Sequence, residues 1–331
     1  MLTHDFSRPL VSIITPSFNQ GTYLEQTILS VLAQDYENIE YLVVDGGSKD
    51  NSVDIIRKFG SKLAWWVSEP DRGQADAINK GFARAKGEII AWINSDDFFY
   101  ATNAVSQGVQ ALLDHPHAGM VYGDGLKVTS QGRLLDWFRY PQYELKDLLA
   151  FHILLQPSVF MRRQALHAAG YLPPDSRLLL DHELWIQIAA RYPIVHIPGF
   201  WSVERSHETA KTISLAAHYG EDALVLIDQL RSQPLFQEII ATNQETIYAG
   251  IHIFHGRRLV DARQSRQALV QFWQAYRIHP PSAVQMWYKI LQAMGGMVGL
   301  SGLFLAYRDL RRRMQNGVRR LKVDHRGAYW V

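Results

Sequence analysis

The regular alternation of short apolar runs with helical stretches constrains the fold of this chain more than any other feature of its sequence. Four runs rich in β-branched and aromatic residues are predicted to be buried strands: Leu10–Ile14, Ile39–Val44, Leu63–Val67 and Glu88–Ile93. The stretches between them are predicted to be helices: Tyr23–Ala33, Ser52–Phe59 and Gln74–Ala85. Strand–helix–strand alternation predicts an α/β fold with a mixed, mainly parallel sheet flanked by helices.

The remainder of the chain is predicted to be a helical extension, so that residues 1–214 form one domain and residues 215–331 a second region. Helices at Glu245–Phe254 and Ser265–Ile278 are predicted to be separated by Gly256-Arg257-Arg258. Their spacing resembles one tetratricopeptide-like hairpin, and a single copy is expected to cover the first domain. The apolar stretch Ile290–Tyr307 reaches the lower bound for a membrane-spanning helix and also fits a helix lying in the membrane interface.

Charge and cysteine content limit the classes of function. The chain has no cysteine, which excludes disulfides, cysteine zinc sites and thiol nucleophiles and favours a cytoplasmic setting. Met1–Arg8 lacks the apolar run of a signal peptide. Arg308–Arg326 holds eight basic and two acidic residues, a local charge of +6. This tail predicts peripheral docking on an anionic membrane surface rather than nucleic-acid binding, and a solvated helix end is the alternative.

Polar clusters follow three of the predicted strands. The first is Thr15–Asn19, the second Asp45–Ser48 and the third Asn94–Asp97. Ligands of open parallel sheets bind outside the carboxyl ends of the strands, so the three clusters together predict a binding site. Each cluster alone is weak, because an Asp-Gly turn is ordinary turn chemistry and paired aspartates often cap helices.

The adjacent Asp96 and Asp97 are the sharpest of these signals, because two neighbouring carboxylates repel unless they are paired. A divalent cation relieves that repulsion, and oxygen ligands favour Mn²⁺ or Mg²⁺ held together with substrate phosphates. The chain contains neither a Gly-x-x-x-x-Gly-Lys-Ser/Thr segment nor a Gly-x-Gly-x-x-Gly after the first strand. These absences argue against a P-loop enzyme and a nicotinamide dehydrogenase.

Five segments in order resemble the signatures of one enzyme family. They are Val11–Asn19, Val43–Asp50, Ser68–Gly81, Asn94–Asp97 and Asp181–Trp185. This pattern is similar to that of the inverting family 2 glycosyltransferases with the Rossmann-like GT-A fold, and it covers roughly residues 9–212. The resemblance implies a metal-dependent hexosyltransferase that moves a sugar from a nucleotide sugar, expected to be a UDP-sugar, to a glycan or lipid-linked acceptor. Polysaccharide, glycolipid or cell-envelope glycan synthesis is the implied setting.

The resemblance also assigns roles to individual residues. Asp45 would hydrogen-bond the base, Arg72 and Asn79 would lie near the diphosphate and sugar, and Asp96 and Asp97 match the metal motif. Asn94 stands where the family commonly has an acid. The implied donor-binding set in full is Thr15, Pro16, Ser17, Asn19, Asp45, Arg72, Asp76, Asn79, Asn94, Ser95, Asp96, His207 and Lys211.

Asp181 matches the general base of the family, at the head of a predicted helix Asp181–Arg191. A helix cap is its structural alternative, and Glu183 is the alternative base. His207 resembles a residue of the loop that closes over the donor diphosphate, either as a third metal ligand or as a phosphate contact. The segment Gln156-Pro157-Ser158 would line the acceptor side, whereas Trp185 is predicted to belong to the core.

Aromatic residues and two competing functions complete the predictions. Trp65, Trp66, Trp137 and Trp201 are candidates for stacking on sugar rings, with Trp137 the first to test, although most tryptophans are core residues. A catalytically inactive nucleotide-binding scaffold of a membrane glycan-synthesis complex is the alternative function. A nucleotidyltransferase is a second alternative, but it would need a basic Gly-rich loop after the first strand, and Thr15–Gly21 has no Lys or Arg.

Overall fold

The computed structural model describes residues 8–174, 178–207 and 215–331 and divides the chain into two compact units. Unit 1 comprises residues up to 142, residues 154–205 and residues 319–331, and unit 2 comprises residues 143–153 and 206–318. This division differs from the predicted one at three places, one of which is the boundary after residue 205 instead of residue 214. A short segment before residue 154 belongs to the helical unit, and the last thirteen residues belong to the unit that carries the sheet.

Unit 1 is built on a nine-stranded sheet whose main path runs in the order β3-β2-β1-β4-β8-β6-β9-β5, with β7 paired to β6. The strands are β1 Val11–Ser17, β2 Ile39–Asp45, β3 Trp65–Ser68, β4 Ile89–Trp92, β5 Phe98–Phe99, β6 Met120–Thr129, β7 Leu134–Phe138, β8 Val159–Arg162 and β9 Ile194–Ser206. Strands β1 to β4 are parallel, whereas β8 pairs antiparallel with both β4 and β6. The predicted mixed, mainly parallel α/β sheet is thus confirmed.

Seven α-helices lie in the described part of the chain before residue 190; six of them belong to unit 1, and α5 belongs to unit 2. They are α1 Leu24–Leu32, α2 Ser52–Phe59, α3 Gln74–Arg84, α4 Ala104–Asp114, α5 Leu145–Leu149, α6 Arg163–Ala169 and α7 Leu180–Ala189. The core between sheet and helices is apolar because the inward positions of β1, β2 and β4 are almost all aliphatic, as the full burial of Ile13, Val43 and Ile89 shows.

Two strands at the end of the chain return to unit 1 as a hairpin, β10 Leu321–Asp324 and β11 Gly327–Trp330. Leu321 is buried in a cluster with Leu134 and Val203, and Arg320 bridges to Arg133 beside the β6–β7 turn. The turn at Ser130-Gln131-Gly132 connects β6 and β7 as a hairpin, with Gly132 at φ +81°. The basic tail Arg308–Arg326 is therefore not one continuous solvated helix, because its residues from Arg319 onward belong to unit 1.

Unit 2 is helical after residue 215, as predicted. Its helices there are α8 Tyr219–Arg231, α9 Pro234–Thr242, α10 Gln244–Asp261, α11 Ser265–Ile278, α12 Pro280–Val284, α13 Trp287–Met297 and α14 Ser301–Asn316. The predicted break at Gly256-Arg257-Arg258 is wrong, because α10 continues through it to Asp261. Gly256 is instead the point of closest approach to α11, where a Cβ would meet the Phe272 ring at 2.8 Å.

The apolar stretch Ile290–Tyr307 is not one helix. It divides between α13 and α14 at Val298-Gly299-Leu300, where Gly299 takes φ +80° and its neighbours leave the helical path. Among the helices of the described residues, none is both long and apolar enough to cross a membrane.

Candidate active site

The three predicted polar clusters lie at one edge of the sheet. Ser17 pairs with Asp45 at the carboxyl ends of β1 and β2, and β4 lies on the other side of β1. The backbone amide of Asn19 donates to Ser48 Oγ at 2.8 Å, and the Lys49 amide donates to Asn19 Oδ1 at 2.8 Å. The loops that follow β1 and β2 are thus fixed to each other before any ligand binds.

Asp45 organises the loop that follows β2. Its carboxylate is fully buried and accepts hydrogen bonds from the Gly47 amide at 3.1 Å, from the Ser48 amide and hydroxyl at 2.9 and 2.5 Å, and from Ser68 Oγ at 2.7 Å. Gly47 adopts φ +82°, which the turn requires and most side chains disfavour. Three of the four bonds reach Oδ2, so Oδ1 is the atom with capacity left for a base N–H.

Two residues predicted near the nucleotide differ in how their hydroxyls are used. The Thr15 hydroxyl lies 3.0 Å from Tyr41 Oη, and both groups are buried. Burial raises the pKa of Tyr41, so the pair is neutral and belongs to the core. The buried Ser17 Oγ, by contrast, has no hydrogen-bond partner among the described residues. A ligand hydroxyl, amide or phosphate at this edge would satisfy it.

A network of ion pairs surrounds the start of α3. Arg72 Nη2 lies 2.9 Å from Asp76 Oδ1, and Lys80 Nζ lies 3.6 Å from Asp76 Oδ2 and 3.0 Å from Glu69. The hydrogen bond from Arg72 lowers the pKa of Asp76, so this carboxylate is ionised and holds both cations. Because Arg72 is 79% exposed at its side chain, it can turn toward an incoming diphosphate at small cost.

Asn79 and Asn94 are engaged in the fold. The Asn79 amide donates to the Leu172 carbonyl at 2.8 Å and accepts from the Leu172 amide at 3.2 Å, an arrangement that fixes the segment after α6. Asn94 Oδ1 accepts from Gln74 Nε2 at 2.9 Å and its amide reaches Asp97 Oδ2 at 3.5 Å. Asn94 therefore links the start of α3 to the aspartate pair, a role that needs no charge.

The two aspartates after β4 have different environments. Asp97 is buried, and its Oδ1 accepts the Arg205 backbone amide at 2.9 Å. Burial raises the pKa of Asp97 well above its ordinary value, the Asp96 and Glu204 carboxylates add to the rise, and Arg205 opposes it. Asp96 is half-buried, and Ser95 beside it is buried. The partly exposed Asp96 is thus the better placed of the pair to meet a ligand.

Arg205 supports this loop, a role that no sequence motif predicts. The residue is 3% exposed, and its guanidinium donates to the carbonyls of Asp96 and Ser130 at 2.9 and 3.0 Å and to Gln26 Oε1 at 3.0 Å. It also lies 4.8 Å from the Tyr23 ring. An arginine in the apolar strand β9 was the available signal, because such a residue is rarely buried without partners.

A second support comes from α1. Thr27 Oγ1 lies 2.9 Å from the Ser95 carbonyl oxygen and 2.6 Å from that of Asp97. The loop is thereby held from two sides, by α1 and by β9. Such a fixed loop keeps both carboxylates in place without a bound ion.

The fit of a metal rests on the donor chemistry of this loop. Within the described residues, no group of three or more histidine, aspartate and glutamate side chains is placed to hold a metal ion. The predicted set of Asp96, Asp97 and His207 is therefore not found as a ready-made cluster. Burial first, and then repulsion by Asp96, raise the pKa of Asp97, and a divalent cation would offset that repulsion. Mg²⁺-type sites usually take one or two carboxylates plus substrate phosphates. The loop thus fits a metal that binds together with a diphosphate.

Asp181 lies in the first turn of α7, which begins at Leu180 with Leu179 as its N-cap residue. The cap interpretation is therefore not the geometry seen, although Asp181 Oδ1 accepts the adjacent His182 amide at 2.8 Å. Trp185, one turn later on the same face, stacks on Trp92 with ring centroids 5.1 Å apart. The face of α7 that carries Asp181 is thus packed on the last residue of β4, two positions before Asn94.

The acceptor-side segment reaches the same tryptophan. Gln156 Nε2 donates to the Trp92 carbonyl at 2.8 Å, and its Oε1 is buried with no hydrogen-bond partner among the described residues. Trp185 is buried, which confirms the predicted core role. Trp92 is thus the residue on which the segments carrying Gln156 and Asp181 converge.

The remaining candidates are distributed elsewhere. His207 is buried after the end of β9, and Lys211 lies outside the described residues. Trp201 is fully buried, so it cannot stack on a sugar ring. Trp137 is 43% exposed on β7 and packs edge-on against Phe200, with ring centroids 4.8 Å apart. It is the more accessible of these two tryptophans.

Fold and site together define an α/β protein that binds its ligand beyond the carboxyl ends of parallel strands. Solved structures with this fold include a mannosyltransferase of Pyrobaculum calidifontis in complex with GDP-Man and Mn²⁺, with a TM-score of 0.61 and 21% identity over 94% of this chain and 86% of that one. Another is Staphylococcus aureus TarS 1-349 in complex with UDP-GlcNAc, with a TM-score of 0.59 and 16% identity over 96% and 95%. Both are glycosyltransferase-type GT-A structures, and the fold of unit 1 is the GT-A fold.

Sequence comparison identifies the family. Residues 12–168 match the family model described as Glycosyl transferase family 2. An uncharacterized glycosyltransferase of Rickettsia prowazekii is 41% identical over 54% of this chain and 58% of its own length. One of Mycobacterium tuberculosis is 40% identical over 36% of this chain and 46% of its own. The chain spans about half the length of these relatives, and its residues 12–168 match glycosyltransferase family 2.

Proposed function

We propose that this chain transfers a sugar from a nucleotide-sugar donor, a UDP-sugar in the first instance, to an acceptor hydroxyl with inversion at the anomeric carbon. The observation that carries the proposal is the edge formed after β2, β1 and β4, where the unsatisfied Ser17 hydroxyl ends the middle strand, with Asp45 at the end of the strand on one side and Asp96 after the strand on the other. A glycan or lipid-linked acceptor is proposed, in polysaccharide, glycolipid or other cell-envelope glycan synthesis.

The donor would lie along this edge. Asp45 Oδ1 would accept a base N–H, and Ser17 would donate to the nucleoside. Arg72 would leave Asp76 to pair with the diphosphate, and Asp96, with Asp97 behind it, would hold Mn²⁺ or Mg²⁺ together with that diphosphate. When bound, such a cation would neutralise the negative charge that develops on the leaving nucleoside diphosphate.

The chain's own contribution to chemistry would be proton removal and orientation. The acceptor oxygen would attack the anomeric carbon opposite the leaving group, forming the new glycosidic bond as the bond to the diphosphate breaks. Asp181 would take the acceptor proton, and the packing of Trp185 on Trp92 would fix its distance from the sugar. Glu183, one helical position beyond His182, is the competing base.

Metal dependence is the first expected result and tests the function itself. With Mn²⁺ present, a panel of UDP- and GDP-sugars should identify one donor from which the chain slowly releases nucleoside diphosphate without an acceptor. EDTA should abolish this release and Mn²⁺ or Mg²⁺ should restore it. The reason is that the negative charge of the leaving diphosphate needs a cation, which the carboxyl groups of Asp96 and Asp97 can bind but cannot replace. Full turnover in chelator would disprove the metal role.

The same assay separates the alternative functions. Binding of a nucleotide sugar in calorimetry with no release under any condition would favour the inactive scaffold. Release of pyrophosphate from a nucleoside triphosphate and a sugar phosphate would favour a nucleotidyltransferase. The Asp96→Asn variant is the matched control, since it should lose metal-dependent release while its unfolding transition stays near that of the parent protein.

Inversion is the second expected result. One base and a single displacement should convert an α-linked donor into a β-linked product, by analogy with the two geometries of glycoside hydrolysis. The anomeric proton coupling constant of the isolated product, measured by NMR, reports the configuration directly. An α-linked product from an α-linked donor would require a different mechanism and a second nucleophile.

A further inference from the structure

The last helix of unit 2 carries an apolar stripe that is open to solvent. Its members are Leu300, Leu303, Tyr307, Leu310 and Met314, which are between 47% and 79% exposed. They follow one another at intervals of three and four residues and therefore lie on one face of α14. We refer to these five residues as the α14 stripe. An isolated exposed leucine needs no explanation, but a continuous stripe of this length does.

The helix α14 packs on α13 through a different face, which leaves the stripe open to solvent. Phe304 packs toward α13, where a Cβ on Gly295 would meet its ring at 2.2 Å, and the Tyr288 ring lies 6.3 Å from it. At 100° per residue, Phe304 lies about 80° and the half-buried Arg308 about 120° around the helix from the centre of the stripe. The helix is thus anchored by one face and presents another.

Further apolar side chains are exposed on neighbouring helices of the same unit. On α13 and just beyond it, the exposed members are Trp287, Leu291, Met294, Met297 and Val298. On α11, the exposed Trp273 stacks on Tyr276 with ring centroids 5.7 Å apart. Unit 2 therefore exposes amphipathic aromatic residues as well as aliphatic ones, a mixture typical of the membrane–water interface.

Positive charge accompanies this surface. Residues 265–318 contain seven lysines and arginines and a single acidic residue, Asp309. On α14, Arg311 and Arg313 flank the stripe on its two sides, at about 60° and 100° from its centre. Arg313 also contacts Asp309 at 2.7 Å, which places this acid on the side of the helix away from the stripe.

We propose that the α14 stripe docks this protein in the interface of an anionic lipid membrane, with α14 lying parallel to the surface. A helix with an apolar face flanked by arginines binds this way because apolar burial and attraction to anionic headgroups act together. A second copy of the chain would instead bring two surfaces of the same positive sign into contact. Since no helix of the described residues can span a bilayer, the interface is the depth that fits.

Vesicle flotation tests the proposal with the full chain. The protein should float with vesicles of about 30% phosphatidylglycerol in phosphatidylcholine, and should float far less with phosphatidylcholine alone. Leu303→Asp with Leu310→Asp should reduce the bound fraction at least about tenfold, because two charges would enter the apolar layer. Arg311→Glu with Arg313→Glu should reduce binding on the order of tenfold, and about 1 M salt should mimic this change.

Matched substitutions away from the stripe are the controls. Leu113→Asp at the end of α4 changes a leucine that is also exposed, at 42%, and Lys62→Glu reverses an exposed charge in unit 1. Both should leave flotation unchanged, and circular dichroism should show that every variant is folded. Failure of the parent protein to float on anionic vesicles overturns the proposal. So does a concentration-dependent dimer that Leu303→Asp with Leu310→Asp dissolves, since the stripe would then be an interface between copies.

Discussion

The Asp181→Asn variant is expected to transfer sugar about two to four orders of magnitude more slowly than the parent protein while binding the donor with nearly the same affinity. General-base catalysis typically contributes this much, and an amide cannot accept the acceptor proton. Donor affinity should survive because the proposed donor contacts lie on the loops after β1, β2, β3 and β4, whereas Asp181 is on α7. Single-turnover rates and calorimetric donor affinities measure the two quantities separately.

Glu183→Gln is the matched control for this prediction, because it makes the same chemical change two residues further along the same first turn. It should alter the transfer rate less than tenfold if Asp181 is the base. A crippled Glu183→Gln with a mild Asp181→Asn would mean that the wrong carboxylate has been assigned. Equal, large losses in both, accompanied by lower melting temperatures, would show that the start of α7 matters for folding rather than for proton transfer.

Local patterns were sufficient to predict the sheet but not its full extent. The strands near Ile39, Trp65 and Ile89 were found within one or two residues, because each is a compact apolar run between turn signals. Strand β9 begins at Ile194 in a short apolar run but extends to Ser206. Its second half contains Glu204 and Arg205, whose partners Lys127 and the Asp96 carbonyl lie far away in sequence. Pairings of that kind are invisible to periodicity.

Glycine was the second source of error, since it breaks some helices and lets others approach closely. Gly299, at φ +80°, ends a helix, whereas Gly256 lies inside one and permits contact with Phe272. Whether a glycine ends a helix or permits close packing depends on the helix that lies beside it, and this tertiary contact is not visible in the local sequence.

The family resemblance predicts which residues form the candidate site. It does not predict which hydrogen bonds each of their side chains makes. Asp45 and Asn79 are tied to their own loops and to Leu172, which motif spacing alone does not reveal. Ser17 and Asp96 retain the capacity to meet a ligand. The residues that hold the metal-motif loop, Thr27 and Arg205, carry no motif of their own, because any group of suitable reach could donate to those carbonyls.

Replacing Arg205 by Met is expected to lower the free energy of unfolding by about 3–5 kcal/mol, the usual cost of removing one member of a buried, hydrogen-bonded charge group. The change leaves the Asp96 and Ser130 carbonyls and Gln26 without their donor. It also removes the cation that opposes the raised Asp97 pKa, so the buried Asp97 carboxylate becomes still harder to ionise. Urea unfolding followed by circular dichroism measures the loss.

Arg57→Met is the matched control, because Arg57 is 65% exposed and pairs only at the surface with Asp54. Its effect should stay within about 0.5 kcal/mol. Arg205→Lys should fall between the two, since an ammonium keeps the charge but cannot reach three acceptors arranged for a planar guanidinium. If Arg205→Met were as stable as Arg57→Met, the loop would be held by Thr27 and the backbone pairing of β5 with β9, and Arg205 would be dispensable for it.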